Sequence, residues 1–502
     1  MLRGAMSYNQ ARIRRLNETP VDKASPYVLY WMQSARRLSW NHALDYAATC
    51  AKQLGKPLVV YEGLRLDYPW ASARFSGFII EGMRDNAATA AELGIDYWPF
   101  VESAAQPAKG LLRKIVNGAC LVVTDDFPCF IIPDQSKAVA SFSKAVFAVD
   151  NNSVVPISLL GTPPFAAVHL RRRLHQNFET AYTHLSAHVP AVQELQQAAI
   201  EPPFQTADLA QLDTLIASLP IDQSVARVSA KPGGTTAARA QLRAFLKTGL
   251  GIYAEDRSKP AAPSAMHGSG LSPYLHFGHL SIDEVVHSVL ATLPGGPTFN
   301  RTNLAKREGF FSDDDNVNSF LDEAITWRDV GYVWHWTRRL DTRSLESALP
   351  SWAINTLKAH AADKRSFTYS LEQWERGETH DELWNAAQKE LVATGVIHNY
   401  LRMLWGKKVL EWSSDPETAY QTLVHLNNKY ALDGRNPNSY TGILWCFGLF
   451  DRPWAPERPV LGQVRYMSSD STAKKFKLKS YLDWVARLPR SGGEATRSEV
   501  SL

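Results

Sequence analysis

The sequence predicts two folded parts. One is an α/β domain built on a doubly wound parallel sheet over residues 20–155; the other is an all-α domain over 236–490, with a connector at 156–235 between them. Three observations carry this reading. Up to about 155, short and fully apolar runs alternate with helical patterns, as strands buried on both faces of a parallel sheet require. From about 236, helical periodicity dominates and β-branched runs are few. At 502 residues, the chain is also long for a single core.

The elements follow in order. "YVLYWM" (27–32) reads as the first strand, and "SWNHALDYAATCAKQLG" as a helix with Ser39 as N-cap and Gly55 at its end. "PLVVYE" is a second strand, and "RFSGFIIEGMRDNAATAAELG" a second helix closing on Gly94. "IDYWPFV", a helix ending near Gly118, "ACLVVTDD" and "VFAVD" continue the rhythm. No GxGxxG follows the first strand, which argues against an ordinary dinucleotide-binding domain. "GTPPF", "EPPF" and "SAKPGGTT" punctuate the connector and leave room for one or two helices. Helices then follow at "TAARAQLRAFLKTGL", "SIDEVVHSVLATL", "VNSFLDEAITWRDVGYVWHW", "SWAINTLKAH" and "HNYLRMLWGKKVLEW".

Composition narrows the class. With 45% apolar and 21% charged residues the chain is globular. No apolar run approaches the ~18–20 residues needed to span a bilayer, and the N-terminal arginines lack the apolar stretch of a secretory signal. Cys50, Cys120, Cys129 and Cys446 form neither a disulfide framework nor a metal-ligand pattern, so the expected setting is the reducing cytoplasm. A net charge of +4 does not by itself argue for nucleic acid. The basic clusters at 171–173, 338–339, 407–408 and 474–479 are ordinary solvated faces unless the fold gathers them on one rim. Tryptophan is unusual: of 15 copies, four precede residue 99 and eleven follow 326, which marks the C-terminal part as chemically special.

Three segments there carry candidate chemistry. In "LDEAITWRD", Glu323 and Trp327 are four apart and share a helix face. "HGSGLSPYLHFGHLS" (267–281) sets small hydroxyls and glycines before a helix-starting proline, an arrangement able to hold phosphate or simply to cap a helix. The stretch 425–459 is dense in Asn, Asp, Gly and Pro and reads as loop-rich.

Taken together, "HGSGLSPYLHFGHLS", "THDELWNAAQKELVATGVIHNYLRMLWGKKVLEW", "LNNKYALDGRNPNSYTGILW" and "DRPWAPERPVLGQVRYMS" resemble the FAD-binding domain of class II DNA photolyases. These members of the photolyase/cryptochrome superfamily reverse cyclobutane pyrimidine dimers with light. "YWMQSARRLSWNHAL" resembles the family's first strand and helix, and the likeness runs from about 25 to 480.

The resemblance implies roles residue by residue. Tyr253, Ser269, Leu271 and Ser272 match contacts to the ribityl–diphosphate portion of FAD. Arg402 and Asp433 match an ion pair beside the isoalloxazine ring, Asn427 the amide facing flavin N5, and Asn438 belongs to the same flavin-binding set. Asn436 stands where many relatives carry Asp. Glu323, Trp327, Met403 and Trp445 match the pocket for a flipped dimer, with the indoles as apolar walls and the carboxyl on a base edge. Arg452 and Arg465 match DNA-facing positions that would contact phosphate. Trp405, Trp384 and Trp412 match a route by which electrons reach an oxidised flavin, Trp405 nearest and the other two leading outward.

By the same resemblance the partner is UV-damaged DNA, with no membrane and no required protein partner, and the chain acts as a monomer. It also allows an antenna chromophore of deazaflavin type in the N-terminal domain. Two competing readings are a cryptochrome-like photoreceptor, which would lose the lesion pocket that Glu323, Trp327, Met403 and Trp445 supply here, and a plain flavin redox enzyme, for which no nicotinamide fingerprint exists.

Overall fold

In a computed structural model, residues 8–489 are described except 187, 191, 193–194, 196–199, 261–267 and 339–343. His267 and Arg339, named in the motifs above, lie outside the described residues. The α/β part carries strands β1 (Ile13–Arg15), β2 (Tyr27–Met32), β3 (Leu58–Leu64), β4 (Asp96–Val101), β5 (Ala119–Asp125) and β6 (Val146–Val149). They form one sheet in the order β1-β6-β5-β2-β3-β4. β2 to β6 are parallel, and β1 pairs antiparallel with β6. Every residue of β2 and β5 is buried, as expected of strands covered on both faces.

The covering helices are α1 (His42–Leu54), α2 (Ala73–Leu93), α3 (Leu111–Asn117) and α4 (Ile132–Phe142). α1 and α2 end where expected, on Gly55 and Gly94 in the left-handed region. The start of α1 differs. Its cap is Asn41, whose side chain accepts from the backbone N–H of Ala43 and Leu44, whereas the Ser39 hydroxyl accepts from Arg239.

The connector carries α5 (Ala167–Tyr182) and α6 (Leu212–Ser218). The helical part runs through α7 (Gly234–Ala244), α8 (Tyr253–Asp256), α9 (Ser272–Phe277), α10 (Ile282–Leu290), α11 (Asp315–Leu321), α12 (Arg328–Arg338), α13 (Leu345–Ala348) and α14 (Ser351–Ala359). It continues with α15 (Leu371–Arg376), α16 (Glu382–Thr394), α17 (Asn399–Trp412), α18 (Pro416–Tyr430), α19 (Pro437–Cys446), α20 (Ser469–Lys475) and α21 (Lys479–Arg487). Among the described residues no strand follows β6, and no helix is long and apolar enough to cross a membrane.

The region 425–459 is less loop-rich than its composition implies. α18 continues to Tyr430 and α19 occupies Pro437–Cys446, so only the six-residue turn between them and the stretch after Cys446 are irregular. Proline at the start of α19 and the Asn436 cap explain why an Asn- and Pro-rich sequence still forms a helix.

The two parts are keyed together by buried polar contacts. Arg74 of α2 donates to the carbonyls of Ala226, Val392 and Tyr430, and His42 bonds Asp283 at 2.8 Å. Gly233 lies so close to α2 that a Cβ there would meet the Phe78 carbonyl oxygen at 2.0 Å.

Candidate functional site

Between α9, α17, α18 and α19 lies a cavity of about 220 Å³. Ser272, His276, Asn399, Arg402, Met403, Trp405, Asn427, Asp433 and Asn438 line it, with Gly442 and Cys446 on the α19 side. Helix interiors disfavour glycine by about 1 kcal/mol, so the two here need a reason. At Gly406 a Cβ would meet the Cys446 sulfur at 2.5 Å, and at Gly442 it would meet nothing, leaving room in the cavity wall.

Arg402 organises the floor. Its two Nη atoms donate to Asp433 at 2.9 and 3.2 Å, and Nη2 also donates to Asn427 Oδ1. Burial pushes Asp433 up, but the Arg402 charge and hydrogen bonds, with one from Ser272, outweigh it and hold the carboxyl below its usual range. Asn427 Nδ2 then donates to Asn428. Asn436 is explained by the helix it starts: Oδ1 accepts the Asn438 N–H, while Nδ2 donates to Tyr332 and to His276 Nδ1. Burial drives His276 down to about 3, so it is the neutral acceptor that this contact needs. Asn438 Oδ1 is buried against Gly331 of α12 and, among the described residues, has no hydrogen-bond partner.

The sequence-named residues divide accordingly. Arg402, Asp433, Asn427, Asn438, Ser272, Met403 and Trp405 come together in this cavity. Tyr253 does not line it; its ring packs between Phe245 and Phe320, 5.7 and 5.2 Å away. Leu271 is buried beside Ser272 without reaching the cavity, and the Ser269 carbonyl accepts from Gln241. His276 and Cys446 were not anticipated; neither stands out in sequence from ordinary core residues.

Glu323, Trp327 and Trp445 do not line the cavity. Glu323 and Trp327 sit in a widened helical turn at Asp322–Trp327 that leads into α12, which packs against α19. Burial raises the Glu323 pKa against the opposing charge of Arg257, which pairs with it at 2.7 Å. Trp327 is 39% exposed, an indole displayed to solvent on this side. Trp445, near the end of α19, is approached by Lys407 and Arg465 at 4.5 and 5.7 Å from its ring centroid. Arg452 is exposed, and Arg465 pairs with Asp451 at 2.9 Å.

The tryptophans form a contiguous array, with Trp374 interposed between Trp384 and Trp412. Trp405 and Trp384 stack 6.2 Å apart at 7°, and the Trp384 indole N–H donates to the Trp405 carbonyl. Trp384 then meets Trp374 at 4.7 Å, and Trp374 stacks on Trp412 at 6.3 Å and 7°. Among the described residues, Trp412 makes ring contacts with Trp374, Tyr369 and His380, and none with Trp384 or Trp405. It is also only 5% exposed, so it is not itself a surface terminus. Trp374 was missed because it lies on α15, a six-residue helix with no apolar repeat to draw notice.

A parallel-sheet part joined to a helical part is the architecture of the photolyase/cryptochrome superfamily. The chain superposes on a bacterial class III photolyase from Agrobacterium tumefaciens with a TM-score of 0.64 at 18% identity, covering 92% of this chain and 86% of that one. Against a cryptochrome from Synechocystis the TM-score is 0.57 at 17% identity, with 91% and 88% covered. These likenesses establish the fold.

Sequence relatives narrow it further. The deoxyribodipyrimidine photo-lyase of Methanothermobacter thermautotrophicus is 35% identical over 479 residues, covering 95% of this chain and 98% of the relative. Those of rice and of Potorous tridactylus are 34% and 31% identical over 482 and 486 residues, covering 92% and 94% of this chain. The comparison with family models returned no match. The chain belongs to the deoxyribodipyrimidine photo-lyases.

Proposed function

We propose that this protein is a light-driven DNA repair lyase of the class II type that splits cyclobutane pyrimidine dimers with FAD bound in the cavity between α9, α17, α18 and α19. The observation that carries the reading is the Arg402–Asp433–Asn427 constellation facing a cavity beside Trp405. A partly buried ion pair of this kind is expensive to desolvate, and a packed apolar floor would serve stability better. A bound polar ring system explains the pair. FAD, when bound, supplies the photoexcited electron that the dimer requires.

The protein residues bind, orient and exclude water. Arg402 and Asp433 offer a fixed charge pair at the ring, while Asn427 has one amide hydrogen and one oxygen lone pair left after its contacts to Asn428 and Arg402. Glu323 offers a carboxyl, and Trp327, Trp445 and Met403 offer apolar surface for the two fused bases, which leave the duplex cheaply because they pair weakly. Arg452 and Arg465 would contact backbone phosphate. Trp405, Trp384, Trp374 and Trp412 would return electrons to an oxidised flavin. UV-damaged DNA is the partner, and the enzyme works as a monomer in the cytoplasm.

An antenna chromophore of deazaflavin type would occupy a second cavity of about 450 Å³ between the sheet and α9. What supports this is its aromatic lining, Trp31, Tyr61, Tyr68 and Phe130, and that His276 lies in the walls of both cavities.

The test is to mix purified protein with a dimer-containing oligonucleotide under blue light. Recovery of the absorbance of intact bases is expected, and its failure with reduced, flavin-loaded protein refutes the assignment. An absorption spectrum of the protein as purified reads out flavin and antenna together.

A further inference from the structure

Lys407 is one of the least exposed charged residues in the protein, at 1%. Its position in α17 turns the side chain away from solvent and toward the end of α19. There Nζ donates to the Cys446 carbonyl at 2.8 Å and to the Trp445 carbonyl at 3.3 Å, and lies 4.5 Å from the centroid of the Trp445 ring. Among the described residues it makes no ion pair; Asp451, the carboxylate it feels, is engaged by Arg465 at 2.9 Å.

A buried ammonium held only by neutral carbonyls is costly, and a methionine would fill the same volume without that penalty. Two local interactions offset part of the cost: the last carbonyls of α19 accept the positive charge favourably, and the indole face attracts it. Both act at the Trp445–Cys446 end of α19. The adjacent lysine behaves differently, since Lys408 pairs with Glu411 at 2.7 Å.

We propose that Lys407 is a positioning residue of the lesion pocket, clamping the Trp445 end of α19 and placing a positive charge behind the indole where the dimer becomes negative. This rests on the reading that Trp445 borders the dimer. The electron that enters the dimer leaves it once the two carbon–carbon bonds joining the bases have broken and each base has regained its ring double bond, so the step has no net redox change. In between, the substrate carries one extra negative charge, and a cation one ring away favours that state over the neutral substrate.

The charge is conditional. Burial holds Lys407 down to about 8, so its ammonium is present below that pH and lost above it. The groups facing it do not titrate across that window in a way that mimics it. Burial lifts the Cys446 thiol to about 11, and Asp451 is held below the ordinary carboxylate range against its own burial by Arg465.

The experiment compares wild type, K407M and K407R, each flavin-loaded and reduced, for dark affinity to a dimer oligonucleotide and for single-turnover splitting across a pH series spanning about 8. In wild type, splitting is expected to fall as pH rises through that value while dark affinity holds. K407M should bind the dimer within about threefold of wild type yet split it on the order of tenfold more slowly at neutral pH, without the alkaline limb; the loss is smaller than for a direct oxyanion donor because an indole intervenes. K407R should recover most of the rate and keep it at alkaline pH. Wild-type splitting in K407M, or an alkaline limb that persists in K407R, overturns the proposal. Trp445→Ala, measured alongside, reads the pocket separately. If it loses dimer affinity while K407M behaves as wild type, only the Lys407 role fails; if its affinity is unchanged, the pocket reading fails and Lys407 with it.

Discussion

Asp433→Asn tests whether the charge pair at the cavity floor exists for the flavin. The substitution keeps shape but leaves one acceptor where Arg402 now reaches two, at 2.9 and 3.2 Å. Breaking a fully buried pair costs roughly 3–5 kcal/mol, and a surface pair roughly 0–1 kcal/mol. With side-chain exposures of 26% for Arg402 and 18% for Asp433, the pair lies between these limits but toward the buried one, so about 2–3 kcal/mol is expected once a ligand covers it. Oxidised FAD brings no charge at the ring to compensate, so the loss should appear as an affinity about 30–150-fold weaker. Titration of oxidised FAD into flavin-free protein measures it. The acid limb provides a second reading. Because the Asp433 pKa is lowered, its contribution is complete above the ordinary carboxylate range and is lost only as pH falls through the depressed value. Wild type should therefore keep flavin at moderately acid pH, and the variant should lack that acid limb. An affinity within about twofold of wild type would show that the pair serves the fold and not the ligand.

Other expectations follow from the same geometry. Trp405→Phe should abolish light-driven flavin reduction while chemically reduced enzyme still repairs; Trp374→Phe should lower photoreduction as well, and unchanged photoreduction in the second variant would remove α15 from the route. Asn436→Asp keeps the oxygen that caps α19, Tyr332 can turn its hydroxyl to donate and His276 can shift its ring proton to Nδ1, so a thermal melt should move by no more than the equivalent of about 1 kcal/mol. Glu390, buried against the Tyr481 hydroxyl, is raised to about 8 by burial, so the native state holds a proton that the unfolded chain has released, and stability should fall as pH rises from the ordinary carboxylate range to about 8. Glu390→Gln should flatten that slope in urea denaturation series at several pH values.

The parts of the fold legible in the sequence were those fixed by local chemistry. β2 and β5 announce themselves as uninterrupted apolar runs, and Gly55 and Gly94 end their helices because only a residue tolerant of positive φ fits there. β1 escaped because three residues, Ile-Arg-Arg, pair at a sheet edge where no apolar pattern is needed. The cap of α1 was misplaced by two residues because Ser39 and Asn41 are equivalent by type; the partner that claims the serine, Arg239, is two hundred residues away. At the site, motif resemblance located Arg402, Asn427 and Asp433 together, whereas the order of the tryptophans depends on how α15 packs against α16 and α17. Spacing along one helix cannot reveal an indole inserted from another.

That dependence gives the N-terminal domain a part in the site's geometry. Arg74 on α2 anchors Val392 near the end of α16 and Tyr430 at the end of α18, and burial lowers its pKa only to about 10, so it stays charged. α16 carries Trp384 and α18 carries Asn427, so one guanidinium fixes the ends of the helix that bears the second tryptophan and of a helix that lines the cavity. Trp70 of the same domain donates its indole N–H to His425, two residues before Asn427, and His425 is held by Glu375 from the Trp374 helix. Backbone groups with such partners are slow to open, and aromatic separations of a few ångströms survive only between elements that do not slide. The sheet domain is thus a brace for the helices that hold the cavity floor and the tryptophan array.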